Sequence, residues 1–151
     1  MGIVYKELVC SKLKAKDKED CLRKIGKILY DNGFVKDTYI DALLKREEIY
    51  PTGLNLKGIS IAMPHTDRIH VNKAAIAIVI LENTVEFKHM GCTGEDVNAE
   101  IIFMMAITDP NDQLENLKKV MLAFNDPSIV NEFKNAKTDE ELYEIGKKYL
   151  D

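Results

Sequence analysis

The sequence predicts a single α/β domain over residues 1–151, in which a mixed β-sheet is flanked by helices. Apolar residues recur at helical spacing near both ends of the 151-residue chain, whereas short apolar and alternating segments occupy its middle. No repeat, low-complexity run or Pro/Gly-rich linker divides the chain, and its length is sufficient for one hydrophobic core. Helices that surround a strand-rich middle are expected to pack as layers on one sheet.

Two helices are expected before the strands. The first begins after Asp17, and Asn32-Gly33 ends it because glycine readily adopts the left-handed conformation that follows a helix. The second begins near Asp37 or Thr38 and ends before Pro51-Thr52-Gly53, which is typical of a turn. The apolar faces are formed by Leu22, Ile25, Ile28 and Leu29 in the first helix and by Ile40, Leu43 and Leu44 in the second.

Strands are expected in the middle of the chain. Ile59–Met63 is short and apolar, and the continuous apolar run Ala74–Leu81 is typical of a strand buried on both faces. Thr84–Lys88 alternates apolar and polar residues, as a half-exposed strand does. Glu100–Ile107 fits a helix or a strand by periodicity, but its brevity and the following Asp109-Pro110 favour a strand.

Three further helices are expected toward the C-terminus. The first has Asn111 or Asp112 as its N-cap and a short one follows Pro127. Thr138 and Glu141 form a capping box at the start of the last helix. The apolar stripes are Leu114, Leu117, Val120, Met121 and Phe124 in the first of these helices and Leu142, Ile145 and Tyr149 in the last.

The composition excludes several classes of function. The chain has 21 Lys and Arg against 25 Asp and Glu, a net charge of −4, and its basic residues are scattered, which argues against nucleic-acid binding. No secretory signal or bilayer-spanning segment is recognisable, so a cytoplasmic protein is expected. Cys10, Cys21 and Cys92 lie far apart without a CxxC motif and are interpreted as reduced thiols.

The segment Met63-Pro64-His65 is the most informative part of the chain. Pro64 fixes its own φ and favours extended geometry at Met63, so a strand ends there and presents His65 in a defined direction. Imidazole can act as nucleophile, proton carrier or metal ligand. His70 and His89 complete no metal-binding motif with it, and no nucleotide-loop or hydrolase motif is present. A phosphohistidine carrier and a binding module both remain open, and a plain turn is the bland alternative.

Arg46 lies near the end of the second predicted helix, within Lys45-Arg46-Glu47-Glu48. Its guanidinium could hold phosphate oxygens in two directions and stays charged at any relevant pH. On sequence physics alone, an exposed residue in a charged helix face is the commoner interpretation.

Two segments, Arg46–Leu54 and Ile61–His65, resemble the enzyme IIA components of the fructose/mannitol class of the bacterial phosphoenolpyruvate-dependent sugar phosphotransferase system. The turn Asp109–Gln113 and the helix that follows it continue the likeness, which is greatest to the galactitol-type IIA proteins. The resemblance implies a mixed sheet of about five strands and no cofactor or metal. It also implies that His65 accepts a phosphoryl group from phosphorylated HPr and passes it to a cysteine of a IIB component, which serves a IIC membrane permease.

The resemblance further assigns roles to three supporting residues. Arg46 would steady the phosphoryl oxygens, and Thr52 would add a hydroxyl or backbone contact. Gln113 stands where mannitol- and fructose-type members carry a second histidine; glutamine can donate a hydrogen bond but cannot become a cation. At the start of a helix whose N-terminus favours anions, Gln113 is expected to orient the phosphoryl group.

The expected mechanism is in-line attack on phosphorus by a neutral imidazole nitrogen of His65, Nε2, with little covalent assistance. Uptake should weaken at acidic pH, since an unperturbed histidine has a pKa of about 6.5. Two alternatives are a IIA-like regulator whose phosphorylation state another protein reads, as in nitrogen-regulatory IIA proteins, and a domain with a vestigial histidine. The likeness to galactitol-type proteins suggests a sugar or polyol as the transported compound, although selectivity resides in the membrane component.

Overall fold

The computed structural model describes residues 2–151 of the chain as five strands, five α-helices and one short 3₁₀ turn. The elements in chain order are β1 (Val4–Leu13), α1 (Lys18–Asp31), α2 (Tyr39–Ile49), β2 (Gly53–Leu56), β3 (Ile59–Ala62), the 3₁₀ turn Arg68–His70, β4 (Ala75–Lys88), β5 (Asp96–Ala106), α3 (Pro110–Ala123), α4 (Pro127–Lys134) and α5 (Asp139–Leu150). No helix in this described part is both long and apolar enough to cross a membrane.

The strands form one sheet in the order β1-β4-β5-β3-β2. β4 pairs parallel to β1 and antiparallel to β5, while β3 pairs parallel to β5 and antiparallel to β2. The predicted mixed sheet of about five strands is therefore confirmed. Because β3 and β5 run parallel, the chain that leaves β3 passes beside the end of β5, where the Met105 amide donates to the Pro64 carbonyl at 2.9 Å.

Helices cover both faces of the sheet. On β4, Ala75, Ala77 and Val79 belong to the core beneath α1 and α2, whereas Ile76 and Ile78 belong to the core beneath α3, α4 and α5. This alternation follows from the two-residue period of a strand. Both sets are fully buried, as the continuous apolar run predicts for a central strand.

Two strands, β1 and β2, are not predicted by the sequence pattern, and both are sheet edges. In β1 the buried residues Leu8 and Val9 are adjacent, and the pairing with β4 shifts register between Val4 and Val9. A shifted register removes the strict alternation by which a strand is recognised. β2 is only four residues long and begins at Gly53, which the sequence assigns to a turn.

The two strands predicted at Ala74–Leu81 and Thr84–Lys88 are one continuous strand, β4. The register with β5 shifts between Ile80 and Val85, so the polar segment that resembles a break is an irregular pairing inside the strand. The separate assignment of Thr84–Lys88 was wrong because a bulged segment interrupts the apolar pattern without ending the strand.

The predicted helices are present, with two corrections in α3. Asp109, rather than Asn111 or Asp112, is its N-cap: the Asp109 carboxylate accepts from the Asn111 amide at 3.0 Å, and Pro110 occupies the first turn. The predicted apolar stripe is only partly buried, since Leu114 is 54% and Met121 40% exposed. Val120 and Phe124 of this stripe are buried and Leu117 packs against the core, so helical spacing placed the centre of the stripe correctly but made it too wide.

Other helix boundaries agree with the prediction. Asp17 caps α1 through a 2.8 Å bond from the Asp20 amide, and Gly33 follows this helix with a φ of +81°, which favours glycine. At α5, Thr138 accepts from the Glu141 amide at 3.1 Å, but the Glu141 carboxylate reaches the Lys137 amide instead of that of Thr138. The capping box is therefore only half formed.

Substituting Tyr39 with phenylalanine is expected to lower the free energy of unfolding by about 1 kcal/mol. The Tyr39 hydroxyl is buried and donates to the Met105 carbonyl at 2.8 Å, at the end of β5. Phenylalanine keeps the ring but leaves this carbonyl without its donor. Urea denaturation measures the change, and Tyr30→Phe, at an exposed tyrosine, is the matched control. Equal stability of Tyr39→Phe and the native protein would contradict the assignment.

Candidate active site

The imidazole of His65 is oriented by the backbone immediately before it. His65 follows β3 through Met63 and Pro64, and it forms a parallel bridge with Met105 beside the end of β5. The side chain is largely enclosed, with 9% of the residue exposed. Its Nδ1 lies 3.0 Å from the Met63 carbonyl oxygen. Because a carbonyl can only accept, Nδ1 carries the proton, and Nε2 is left unprotonated with a lone pair.

Gln113 lies against that lone pair. Its side-chain amide nitrogen is 2.6 Å from Nε2 of His65 and donates to it, since Nε2 carries no proton in this tautomer. Gln113 is in the first turn of α3, where Asp109 already accepts from the amides of Asn111 and Asp112. Gln113 therefore reaches the site through its side chain, and the structure brings it together with His65 from 48 positions away.

Arg46 stands beside the same imidazole at the end of α2. Its Nη1 is 3.5 Å from a carboxylate oxygen of Asp67, and its guanidinium carbon lies 5.1 Å from the centre of the Tyr50 ring. Its Nε is buried and finds no acceptor among residues 2–151. A buried donor ordinarily has a partner, so this N–H is an exception that calls for an explanation.

Two adjoining cavities meet at this point. Their volumes are about 290 Å³ and about 220 Å³, and Arg46, His65 and Gln113 line both of them. Thr52 lines the smaller cavity. A larger cavity of about 520 Å³ lies between α4 and α5, and none of the predicted site residues lines it. The cavities at His65 are thus where the predicted residues converge.

Thr52 is engaged differently from the sequence-based expectation. Its amide and its hydroxyl both donate to the carboxylate of Glu47, each at 2.8 Å. In this arrangement Thr52 has no donor left for a phosphoryl oxygen, so the predicted direct contact stays a prediction. Glu47 itself is only 3% exposed. It was missed as a site residue because it lies in a charged run, which the sequence analysis interpreted as an exposed helix face, and Lys45 and Glu48 of that run are indeed exposed. The signal that could have identified it is its position four residues after Leu43, which places an acidic side chain on the buried face of α2.

The environment of His65 keeps its imidazole neutral. Burial, the largest effect, lowers the pKa of His65 below its ordinary value, and the charge of Arg46 lowers it further. The bond to the Met63 carbonyl and the charge of Asp67 act in the opposite direction. The acid limit of a reaction that needs neutral His65 therefore lies below the pH expected for an unperturbed histidine.

Replacing Asp67 with asparagine is expected to lower the pKa of His65 further. The Asp67 carboxylate stabilises the imidazolium and pairs with Arg46, whose positive charge has the reverse effect on His65. Removing the negative charge leaves the arginine uncompensated. Titration of the His65 ring followed by NMR measures the shift. The variant Asp109→Asn, which acts on the helix cap, is the control, and an unchanged or raised pKa in Asp67→Asn would contradict the expectation.

The other histidines have local structural contacts. Nδ1 of His70 lies 2.7 Å from the Thr38 hydroxyl, and Nδ1 of His89 accepts from the Gly91 amide at 2.9 Å. In the described part of the chain, no three His, Cys, Asp or Glu side chains converge as metal ligands. Cys92 lines the smaller cavity at His65, whereas Cys21 is buried.

Comparison with known proteins identifies the class. The family model for "Phosphoenolpyruvate-dependent sugar phosphotransferase system, EIIA 2" matches residues 3–149. The chain therefore belongs to this family and is a phosphotransferase of that system, as its sequence motifs predict.

Relatives from several bacteria agree with this assignment. The chain is 32% identical over 114 residues to the galactitol-specific EIIA component of Escherichia coli K12, covering 76% of this chain and 75% of the relative. It is 28% identical over 148 residues to the mannitol-specific IIA component of Geobacillus stearothermophilus, covering 96% and 95%. Among solved structures, the complex of mannitol IIA with phosphorylated mannitol IIB from Escherichia coli matches with a TM-score of 0.74 and 24% identity, covering 92% and 93%. The structural match supports the fold.

Proposed function

We propose that this protein is a phosphocarrier that accepts a phosphoryl group from phosphorylated HPr on Nε2 of His65. The observation that carries the proposal is the unprotonated Nε2 of His65, whose lone pair accepts from Gln113 beside cavities that Arg46 also lines. A nucleophile, an unpaired guanidinium N–H and an amide donor thus surround one space. Phosphoryl transfer requires mainly that the reacting groups are positioned and that the charge on the phosphoryl oxygens is stabilised. These three groups can do both.

The transfer step uses the tautomer described above. The Nε2 lone pair attacks phosphorus in line, the bond from phosphorus to the donor atom of HPr breaks, and its electron pair stays with HPr. The proton on Nδ1 remains hydrogen-bonded to the Met63 carbonyl. The Gln113 amide first has to leave the lone pair, because its nitrogen occupies the direction of attack at 2.6 Å. It then donates to a phosphoryl oxygen instead.

Arg46 supplies the positive charge at the phosphoryl group. Its buried Nε–H, which has no acceptor among the described residues, gains one when a phosphoryl oxygen enters. A guanidinium fork binds two phosphate oxygens at once. The contact with Asp67 at 3.5 Å, between partly exposed groups, is weak enough to be exchanged for the phosphoryl group.

The phosphoryl group passes next to a cysteine of a IIB component, which serves a IIC permease. A solved relative is a complex of mannitol IIA with phosphorylated mannitol IIB, and this supports the choice of acceptor. We propose a sugar or polyol as the transported compound, with a galactitol-like polyol favoured by the 32% identity to galactitol-specific EIIA. Because the phosphoryl group derives from phosphoenolpyruvate, we place the carrier in the cytoplasm.

The test is a reconstituted transfer from phosphoenolpyruvate through enzyme I and HPr, followed by intact mass and site mapping. The expected result is one acid-labile phosphoryl group per chain, on His65, that is lost when a IIB partner is added. A folded sample that takes up no phosphoryl group from active HPr would overturn the proposal. A labelled protein that passes the group to no IIB component would favour the regulatory alternative.

A further inference from the structure

The carboxylate of Glu47 accepts hydrogen bonds from both donors of Thr52, its backbone amide and its hydroxyl. The Thr52 amide and hydroxyl reach separate oxygens of this carboxylate, each at 2.8 Å. Both residues are 3% exposed. A buried carboxylate with two strong donors is well satisfied, and hydrogen bonds to a charged acceptor are about twice as strong as neutral ones. Glu47 therefore fixes the turn between α2 and β2.

This turn is connected to His65 through two backbone groups. The Thr52 carbonyl accepts from the Met63 amide at 3.2 Å, and the Met63 carbonyl lies 3.0 Å from Nδ1 of His65. The first contact places Met63, and the second selects the tautomer with the proton on Nδ1. The position of Thr52 therefore constrains Met63, and the position of Met63 in turn constrains the His65 ring.

We propose that Glu47 is a positioning residue for His65, which through Thr52 and Met63 holds the imidazole in the tautomer that leaves Nε2 free to accept a phosphoryl group. The inference rests on the proposed phosphocarrier function and deepens it. Glu47 lines neither cavity at His65, so it acts without touching the phosphoryl group. Its neighbour Arg46 lines the cavities. Helix α2 thus contributes the positive charge of Arg46 to the site and, through Glu47, the contacts that hold Thr52.

The same carboxylate makes the positioning sensitive to pH. Burial raises the pKa of Glu47 to about 7, against the opposing effect of its bonds from Thr52. Of the charged groups around it, Lys18 of α1 lowers this pKa and Glu48 raises it. The nearby Cys21 stays neutral, because burial raises the pKa of its thiol to about 12. As the pH falls through about 7, Glu47 takes up a proton and its bonds to Thr52 lose their charge assistance.

The test compares Glu47→Gln and Glu47→Ala with the matched control Glu48→Gln. Glu48 is exposed and lies next in the chain, but its carboxylate contacts Lys18 rather than Thr52. Single-turnover phosphoryl uptake from phosphorylated HPr is measured from about pH 5 to about pH 8, the range in which histidine titrates. In parallel, ¹⁵N NMR of the unphosphorylated His65 ring reports which nitrogen carries the proton, without any transfer reaction.

We expect Glu47→Ala to slow uptake at saturating HPr by up to about 100-fold, the effect of a misplaced reacting group. The half-saturating HPr concentration should not change, because Glu47 is buried. Glu47→Gln, which keeps the shape of the side chain, should be slowed less. In the native protein the uptake rate should decline as the pH falls through about 7 and Glu47 is protonated, whereas Glu47→Gln should lack this decline. In Glu47→Ala the His65 ring should gain a population protonated on Nε2. Glu48→Gln should retain the native rate above pH 7, and its decline should move to lower pH, because loss of the Glu48 charge removes one effect that raises the pKa of Glu47.

The outcomes separate this inference from the proposed function. If the native protein is labelled on His65 and both Glu47 variants show the native rate, pH profile and ring tautomer, the positioning role is wrong while the phosphocarrier function stands. If the native protein takes up no phosphoryl group, the phosphocarrier function fails, and the ring tautomer in the variants still decides whether Glu47 orients His65. Should Glu47→Ala not fold, the pH profile and NMR spectrum of Glu47→Gln decide the matter.

Discussion

Replacement of His65 with alanine is expected to reduce phosphoryl uptake to background, because no other side chain that lines both cavities offers an imidazole nitrogen, and Cys92 lines only the smaller one. Gln113 has only an amide, and the Thr52 hydroxyl donates to Glu47. The variant should remain folded, because the deletion removes two hydrogen bonds, to the Met63 carbonyl and from the Gln113 amide, each worth about 1 kcal/mol. Intact mass after incubation with phosphorylated HPr measures the effect, and circular dichroism checks the fold.

The two other histidines provide the matched controls. His70 contacts Thr38 and His89 contacts Gly91, and neither lines the two cavities at His65. His70→Ala and His89→Ala should each still accept one phosphoryl group per chain. Retained labelling of His65→Ala, or loss of labelling in the His89 variant alone, would place the nucleophile elsewhere.

Replacement of Arg46 with alanine is expected to slow uptake by about 100- to 1000-fold, the range observed when a pre-positioned group that stabilises transition-state charge is removed. Arg46 lines the two cavities beside His65, and no other arginine or lysine lines both; its buried Nε–H has no acceptor among residues 2–151. Stability should change by less than about 1 kcal/mol, since the one ion pair lost is partly exposed.

The variant Arg46→Lys distinguishes charge from geometry. Lysine keeps a positive charge but lacks the planar fork that binds two phosphate oxygens, so its rate should lie between those of the native protein and Arg46→Ala. Lys45→Ala, at the exposed neighbouring position of the same helix, is the control and should transfer at the native rate. Rapid-quench measurement of uptake gives all four rates. A native rate in Arg46→Ala would remove Arg46 from the site.

The pattern of the chain was sufficient for most of the fold. The five helices, the central strand that begins at Ala75 and the end of β3 before Pro64 follow from features that are local in sequence: apolar spacing, capping residues, glycine and proline. The failures have a common cause. β1 and β2 lie at the edges of the sheet, and the irregular register within β1 and β4 obscures the alternation of apolar residues. Edge pairing and bulges depend on the neighbouring strand, which the local pattern does not contain.

The site divides in the same way. Presentation of His65 after a strand is determined by the sequence, because Pro64 restricts the backbone on both sides of itself. The resemblance to IIA proteins added Arg46, Thr52 and Gln113. Neither the sequence pattern nor the resemblance predicted that the Gln113 amide donates to Nε2 of His65, or that Thr52 donates to Glu47.

Only the tertiary structure decided those contacts, since they join segments that are distant in the chain. The parallel pairing of β3 with β5 carries His65 to the start of α3, where Gln113 meets it. Packing of α2 on the sheet buries Glu47 while Arg46, one residue earlier, reaches the cavities. Sequence by itself thus determined most of the secondary structure and the position of His65 after a strand, because both depend on local backbone preferences. The tautomer of His65 and its pKa depend on burial and on contacts that exist only in the folded chain.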